Sequence, residues 1–133
     1  MPWLADTNVL SELVRPHPNA GVAQWATGIE RISVSVITLE EIMFGLAWKP
    51  NAKIRKWFAQ FFADACDVLP ITEAIAERAG LMRGELRAEG QTRSQADMLI
   101  AATAQVHGLT LVTRNVRDFE GCRITVLNPF VAR

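Results

Sequence analysis

The chain has 133 residues, half of them apolar, and its 14 basic and 14 acidic residues leave no net charge. This length and apolar content predict one folded domain, residues 1–133, and exclude a disordered tail. Two cysteines are too few for a disulfide scaffold, and no apolar run could span a bilayer, so we expect a reduced, cytoplasmic protein without a membrane partner.

Strands and helices are predicted to alternate along the chain. Short β-branched runs predict strands, and apolar stripes at helical spacing, bounded by polar or Pro/Gly residues, predict helices. The predicted strands are 2–5, 32–37, 68–71, 109–113 and 124–127. The predicted helices are 6–14, 19–28, 38–48, 51–65, 72–88 and 94–107. This alternation predicts an α/β domain with a mostly parallel sheet.

Four acidic residues lie close to the points where predicted strands end or helices begin. Asp6 follows the first strand, Glu41 follows the second, Asp97 lies in the first turn of the last helix, and Asp118 lies just past the fourth strand. In a parallel sheet these points gather at the carboxyl edge of the strands, where α/β folds bind ligands. A carboxylate beside apolar runs is costly unless it is paired or bound to a metal. We therefore expect a site for a hard divalent cation and for phosphodiester chemistry.

Each acid also has a simpler interpretation, because short polar side chains commonly cap helices. An N-cap residue accepts a hydrogen bond from the first turn, and an acid three residues later completes a capping box. Taken singly, every one of the four acids fits a capping role. The segments concerned are Asp6 alone, Thr38 with Glu41, Ser94 with Asp97, and Asn115 with Asp118.

The residues around the acids carry a family resemblance. LADTNVLSEL contains Asp6, SVITLEEIMFG contains Glu41, and ADMLIAATAQVHGLTLVTRNVRDFEG contains the last two acids. These segments, with NPF near the C-terminus, resemble the motifs of the PIN domain, and specifically of the VapC/FitB-like toxins of bacterial toxin–antitoxin pairs. Some relatives carry an acid where this chain has Asn115. The fourth acid is therefore either replaced by Asn115 or supplied by Asp118, and we favour Asp118.

The resemblance implies a single PIN-like domain, built as a three-layer sandwich of a mostly parallel sheet between helices. It implies a toxin that is a Mg²⁺- or Mn²⁺-dependent endoribonuclease, is silenced by a cognate antitoxin and forms a homodimer. The implied catalytic residues and metal ligands are Asp6, Glu41, Asp97 and Asp118. The residues expected to support them are Thr7, Asn8, Thr113 and Asn115. Those expected to grip RNA phosphates are Arg114 and Arg117, with Arg83, Arg87 and Arg93 as further candidates.

The chemistry also follows from the residue types. Carboxylate oxygens suit Mg²⁺ or Mn²⁺, and no His or Cys cluster competes, because His17 and His107 fall in a loop and at a helix end. Such a metal activates a water for in-line attack and stabilises the leaving oxygen.

Other interpretations remain open at this point. An aspartyl-nucleophile phosphohydrolase usually has a second Asp two residues after the nucleophile, where this chain has Asn8. That enzyme class and a receiver-like switch both need a late Lys, and no Lys follows Lys56. A third interpretation is a metal-binding PIN-like protein without turnover. The aromatic segment 57–62 either packs in the core or lines a groove for a partner peptide.

Overall fold

A single parallel sheet forms the centre of the protein. The computed structural model describes residues 2–132, so the ends of the predicted domain, residues 1 and 133, lie outside the described range. The strands are β1 (Trp3–Ala5), β2 (Ile32–Ser35), β3 (Cys66–Leu69), β4 (Thr110–Val112) and β5 (Val126–Leu127). Their order across the sheet is β3-β2-β1-β4-β5, and every neighbouring pair is parallel. The predicted α/β class and strand direction are confirmed.

The helices follow the predicted order. They are α1 (Thr7–Leu13), α2 (Ala20–Ala26), α3 (Val36–Trp48), α4 (Ala52–Asp64), α5 (Glu73–Ala88) and α6 (Gln95–His107). A polar side chain at each N-cap accepts a hydrogen bond from the first turn. These caps are Asp6, Asn19, Ser35, Asn51, Thr72 and Ser94. Between residues 2 and 132, no helix has both the length and the apolar character needed to cross a bilayer.

Helices cover both faces of the sheet and bury two apolar cores. On one face, Leu4 of β1 packs in a cluster with Ile75 of α5 and Met98 of α6. On the other face, Ala5 of β1 belongs to a cluster that includes Phe58 of α4. Successive side chains of a strand point to opposite faces, and the central strand β1 is accordingly apolar along its whole length. The predicted three-layer sandwich is confirmed.

One boundary near the site differs from the prediction. The β-branched run predicts a strand that continues to Ile37 and a helix that begins at Thr38. Instead β2 ends at Ser35 and α3 begins at Val36, because Ser35 Oγ accepts the Ile37 N–H at 3.1 Å and caps the helix. The capping box predicted for Thr38 and Glu41 is therefore wrong, and Thr38 lies fully buried inside α3.

Three smaller differences concern the short elements. β3 spans Cys66–Leu69, two residues earlier than the predicted 68–71, and β5 begins at Val126, two residues after its predicted start. A 3-10 helix, Val116–Phe119, follows β4, where no helix was predicted. Each of these segments has at most four residues, too few for periodicity to define its ends.

Chain order and spatial order differ at the centre of the sheet. The chain runs β1, β2, β3 in one direction and then returns, through α5 and α6, to place β4 on the other side of β1. Ala5, the last residue of β1, lies opposite Val112, the last residue of β4. This is the topological switch point at which open α/β sheets bind ligands. The residues that follow, Asp6 and Thr113, are consequently brought together.

Candidate active site

The Asp6 carboxylate is the most deeply buried acid of the predicted site, with a relative exposure of 5%. Its Oδ1 accepts the Thr7 N–H at 2.8 Å, which makes Asp6 the N-cap of α1. Its Oδ2 accepts the Thr113 hydroxyl at 2.8 Å and the Asn8 side-chain N–H at 3.2 Å. All three donors are neutral, so they orient the carboxylate without cancelling its charge.

A small network joins the ends of β1 and β4. The Asn8 amide donates to Thr113 Oγ1 at 3.1 Å and accepts the Arg114 N–H at 3.0 Å. Thr113 Oγ1 also accepts the Asn115 N–H at 3.1 Å. Thr113 is fully buried, so its hydroxyl is shielded from bulk water and depends on these partners. The network fixes Asn8 and Thr113 around Asp6.

Glu41 reaches the same edge from α3. The Thr7 hydroxyl donates to Glu41 Oε1 at 2.6 Å and lies 3.2 Å from the Thr38 hydroxyl. Because α3 begins two residues earlier than predicted, Glu41 is its sixth residue and makes no capping bond with Thr38. The Glu41 side chain therefore does not cap α3. It is held instead by Thr7, the residue next to Asp6.

Asp97 and Asp118 approach from the other side of the site. Ser94 caps α6 by accepting the Asp97 N–H at 3.0 Å, and the Asp97 side chain is half-buried in the first turn. Asp118 is exposed in the 3-10 helix, and its backbone carbonyl accepts a hydrogen bond from Arg93 Nη1 at 2.7 Å. Asn115, which precedes this helix, makes no side-chain capping bond. The capping interpretation therefore fails for Asn115.

The charges of the four acids act on one another. Burial raises the pKa of Asp6, hydrogen bonds from Thr113 and Thr7 oppose that rise, and the charges of Asp97 and Glu41 add to it. Burial likewise raises the pKa of Asp97. Its bond with Ser94 lowers this pKa, the charges of Asp118 and Glu41 raise it, and Arg93 lowers it. The set of acids, not one pair, makes a site of concentrated negative charge.

The donor chemistry fits a hard divalent cation. Within residues 2–132, no three His, Cys, Asp or Glu side chains stand close enough to form a metal cage by themselves. Mg²⁺ rarely uses such a cage, because it keeps several waters and takes one or two carboxylates together with substrate phosphate. His107 is exposed, His17 lies in a loop, and burial raises the pKa of the Cys66 thiol to about 12. Soft or nitrogen ligands therefore do not compete with the acids.

The basic side chains near the site differ in how firmly they are held. The Arg114 guanidinium lies 5.0 Å from the centre of the Phe130 ring, a stacking contact typical of Arg. Arg117 is exposed in the 3-10 helix. Arg93 is fixed by two acceptors, the Asp118 carbonyl at 2.7 Å and Gln91 Oε1 at 2.6 Å.

The site includes contacts that the sequence did not reveal. Thr38 was interpreted as a cap, whereas its hydroxyl lies beside that of Thr7. The Arg93 contact with the backbone of Asp118 was not predicted either. The spacing of Thr38 and Glu41, one helical turn, was the only available signal for the first. Nothing in the sequence indicates the second, since it joins the loop before α6 to the 3-10 helix after β4.

The chain is similar to several known proteins. The PIN domain family matches residues 4–121. Toxin FitB of Neisseria gonorrhoeae is 34% identical, over 96% of this chain and 97% of that protein. VapC ribonuclease Y4jK of Sinorhizobium fredii is 37% identical, over 94% and 95%. A toxin-antitoxin complex from Klebsiella pneumoniae has a chain that is 31% identical, with a TM-score of 0.75 over 97% of this chain and 98% of that one. The chain belongs to the PIN domain family, among its VapC/FitB-like toxin–antitoxin proteins.

Proposed function

We propose that this chain is the toxin of a type II toxin–antitoxin pair and a Mg²⁺- or Mn²⁺-dependent endoribonuclease. The observation that carries the proposal is the Asp6 carboxylate, buried at the switch point of the sheet and oriented, within residues 2–132, by neutral donors alone. Burial raises its pKa, and the charges of Asp97 and Glu41 nearby add to that rise. The similarity to a protein named a VapC ribonuclease supports the same activity.

The proposed metal ligands are the four acids, with Asp6 and Asp97 as the principal ones. A bound divalent cation supplies a polarised water for attack on phosphorus and charge stabilisation for the leaving oxygen. The role of the chain is to hold the ligands. Thr113 and Asn8 fix the Asp6 carboxylate, and Thr7 joins it to Glu41 through adjacent hydrogen bonds. Such supporting bonds orient the ligands of a metal and tune their basicity.

The fourth acid in this proposal is Asp118. Its charge raises the pKa of Asp97, which supports a position within electrostatic range of the principal ligands. Asn115 carries no charge, and it contributes instead through its backbone N–H, which donates to Thr113 Oγ1. We assign Arg114 and Arg117 to the RNA phosphates next to the cleavage point, since both are exposed at this edge.

Cleavage assays with and without metal test this function. Purified chain incubated with RNA is expected to cleave it in Mg²⁺ or Mn²⁺ and to stop in EDTA. Full activity in chelator contradicts the metal-dependent mechanism. Metal binding without any cleavage, measured by titration calorimetry beside the assay, favours a PIN-like protein without turnover. Sequencing the ends of the cleaved RNA identifies the substrate.

The antitoxin of the proposed pair binds a cleft between α1, α3 and α4. Two adjoining cavities of about 500 and 240 Å³ share Ser11, Val14 and Ile54. One reaches Trp57, and the other reaches Glu41 at the active edge. In the aromatic segment of α4, Phe58 and Phe61 are buried in the core. Trp57 lines the larger cavity, and Phe58 also lines the smaller one. An apolar peptide is the occupant that such a surface fits.

Co-expression tests the antitoxin. The product of the neighbouring gene is expected to co-purify with this chain and abolish its activity. Ile54→Ser is expected to disrupt the complex and leave cleavage by the free chain unchanged, because Ile54 lines both cavities and is not among the residues proposed to hold metal or RNA. Ile54 also packs against the core, so a melting curve must show that the variant is folded. A stable, freely expressed chain with no such neighbour contradicts the pairing.

A homodimer completes the proposal. Phe44 and Trp48 on α3 are 62% and 68% exposed, and their rings lie 6.0 Å apart. Exposed aromatic pairs of this kind are costly in water and common at interfaces. Light scattering on the purified chain is expected to give twice the chain mass, and Phe44→Ser with Trp48→Ser to give the monomer. A monomeric native chain contradicts this part.

A further inference from the structure

A cavity lined by arginine lies on the exposed face of α5. Its volume is about 390 Å³. We call it the arginine cavity; its lining residues are Gly80, Arg83, Gly84, Arg87, Thr92 and Arg93. Residues 80, 83, 84 and 87 are spaced as one face of a helix. The cavity is therefore a groove along α5, closed at one end by the loop that leads to α6.

The charge of this face is not balanced by nearby acids. No acidic residue lines the arginine cavity within residues 2–132. The acids of α5, and Glu89 just after it, border other surfaces: Glu73 and Glu77 line one cavity, and Glu85 and Glu89 line another. In the described part of the chain, neither Arg83 nor Arg87 has a carboxylate within 4.0 Å. The helix thus separates its charges, and one face presents guanidinium groups without ion-pair partners.

The two glycines have no packing role in the chain itself. Glycine is among the poorest helix formers, because it has the most backbone freedom to lose. Apart from the adjoining backbone of α5 itself, a Cβ at Gly80 or Gly84 would meet no atom of the described residues within 4 Å, so neither position requires the absence of a side chain. The glycines leave the helix backbone uncovered at the base of the groove, so that a ligand can approach it.

The arginine cavity is joined to the active edge by Arg93. This side chain lines the cavity and donates to the Asp118 carbonyl at 2.7 Å. A polyanion lying across Arg93 would therefore have one part in the cavity and another beside the acids.

We propose that the arginine cavity binds a backbone phosphate of the RNA substrate outside the cleaved bond. The proposal rests on the ribonuclease function given above and adds a positioning site to it. Guanidinium groups match phosphate oxygens in two-pronged hydrogen bonds, and Arg83 and Arg87 present two of them here. Arg93, which already donates to Asp118 and Gln91, adds a third positive charge. Phosphate contacts fix the register of a nucleic acid without reading its bases. The cavity consequently sets how RNA is held and leaves the chemical step to the acids.

Direct binding in EDTA tests the site without requiring turnover. The probe is a short, fluorescein-labelled single-stranded RNA, and the variant is Arg83→Gln with Arg87→Gln. Affinity is expected to fall on the order of tenfold at low salt, and the slope of log K against log salt to shrink by about 0.7 for each phosphate that the variant no longer neutralises. Arg78→Gln is the matched control, since Arg78 is an exposed arginine of α5 outside this cavity, and it should bind RNA nearly as well as the native chain.

Two further measurements separate positioning from folding and from chemistry. In the cleavage assay the double variant is expected to raise KM and leave kcat unchanged, the pattern of an interaction equal in ground and transition states. Gly84→Gln should raise the melting temperature, because glutamine is a better helix former, and still weaken RNA binding by filling the groove. A merely structural role for this face would not lower affinity while raising stability.

Native affinity and KM in both variants would overturn the proposal. A change in oligomeric state by light scattering, with RNA binding intact, would also overturn it and assign the face to a second copy of the chain. A native chain that neither binds nor cleaves RNA would instead refute the proposed ribonuclease function itself, which keeps the two failures distinguishable.

Discussion

The two edges of the sheet hold carboxylates in opposite ways. At the amino edge, Asp67 near the start of β3 meets Arg31, with 2.6 Å between Oδ1 and Nη2. Both side chains are about half exposed, and the hydrogen bond and charge of Arg31 lower the pKa of Asp67. At the carboxyl edge, Asp6 is buried, and in the described part of the chain it makes no ion pair. Its pKa is raised, chiefly by burial.

The two edges differ in whether the charge of the carboxylate is compensated within the chain. Asp67 has its cation within the chain, so its charge is already compensated. Within residues 2–132 the hydrogen-bond donors to the Asp6 carboxylate are neutral and fix its direction, and the charges of Glu41 and Asp97 add to the rise of its pKa. Burying an uncompensated charge costs free energy. This cost supports the proposal that the carboxyl edge receives a cation.

Removing the charge of Asp6 is expected to have the largest effect. Asp6→Asn nearly preserves volume but deletes a proposed principal ligand, so cleavage should fall by at least the roughly 10²- to 10³-fold that loss of one charge-stabilising group costs. Melting and cleavage are measured together. The control is Asp67→Asn, the same chemical change at the amino edge, which should leave activity unchanged. A normal rate with a lowered melting point in Asp6→Asn would reduce Asp6 to a helix cap.

Loss of the Thr113 hydroxyl should have the next largest effect. Thr113→Val keeps the shape of the side chain but removes the 2.8 Å bond to Asp6 Oδ2, and metal affinity should fall about 10- to 100-fold. The bond lowers the pKa of Asp6, so the acidic limb of the pH–rate profile should also move to higher pH. Titration with Mn²⁺ and rates over a pH series measure both. An unchanged limb would mean that Thr113 does not act through Asp6.

The metal-free chain is expected to lose stability as pH rises. Asp6 and Asp97 have folded-state pKa values above the ordinary 3.8, so the folded chain keeps these protons to higher pH than the unfolded chain. Their contribution to stability is complete below pH 3.8 and is lost as pH rises through the raised values.

Metal should reverse this loss at neutral pH, by about 2.7 kcal/mol at a concentration roughly one hundred times Kd. Melting curves in EDTA and in Mg²⁺ across the pH series measure the shift. Asp97→Asn should raise the melting temperature in EDTA and reduce the gain from Mg²⁺. A gain from Mg²⁺ that Asp97→Asn leaves intact would exclude Asp97 as a ligand.

The fourth acid should give the smallest effect. Asp118 is exposed, so its charge is screened, and Asp118→Asn is expected to weaken Mn²⁺ binding or turnover on the order of tenfold. Asn115→Ala should do less, and Asn115→Asp should not compensate for loss of Asp118. Calorimetry and cleavage rates on these variants decide the assignment. If Asp118→Asn is silent in both assays and Asn115→Asp raises affinity, Asn115 holds the position and the site has three carboxylates.

Local sequence was enough for most of the fold, because the signals are local in origin. Caps such as Thr72 and Ser94 and the C-terminal Gly108, whose φ is 65°, begin or end their helices by contacts within one turn. The β2–α3 junction was harder. Val36 and Ile37 favour a strand by propensity, yet Ser35 caps the helix before them. Strand propensity and helix capping differ here by small free energies. The sequence pattern does not show which of the two is larger.

By itself the sequence determined the alternation of strands and helices, and it placed four acids near the ends of the predicted elements. Both follow from hydrophobic periodicity and capping residues, which depend on neighbours in the sequence. Only the tertiary structure decided how the acids are supported. Thr113 lies 107 residues from Asp6 and Glu41 lies 34 from Thr7, and such contacts exist only once the strands have assembled around β1. The same holds for Arg93 and Asp118, which bring the loop before α6 into contact with the 3-10 helix after β4. The order of residues in the sequence does not indicate which neutral donor will contact a buried carboxylate, because that contact forms only in the folded chain.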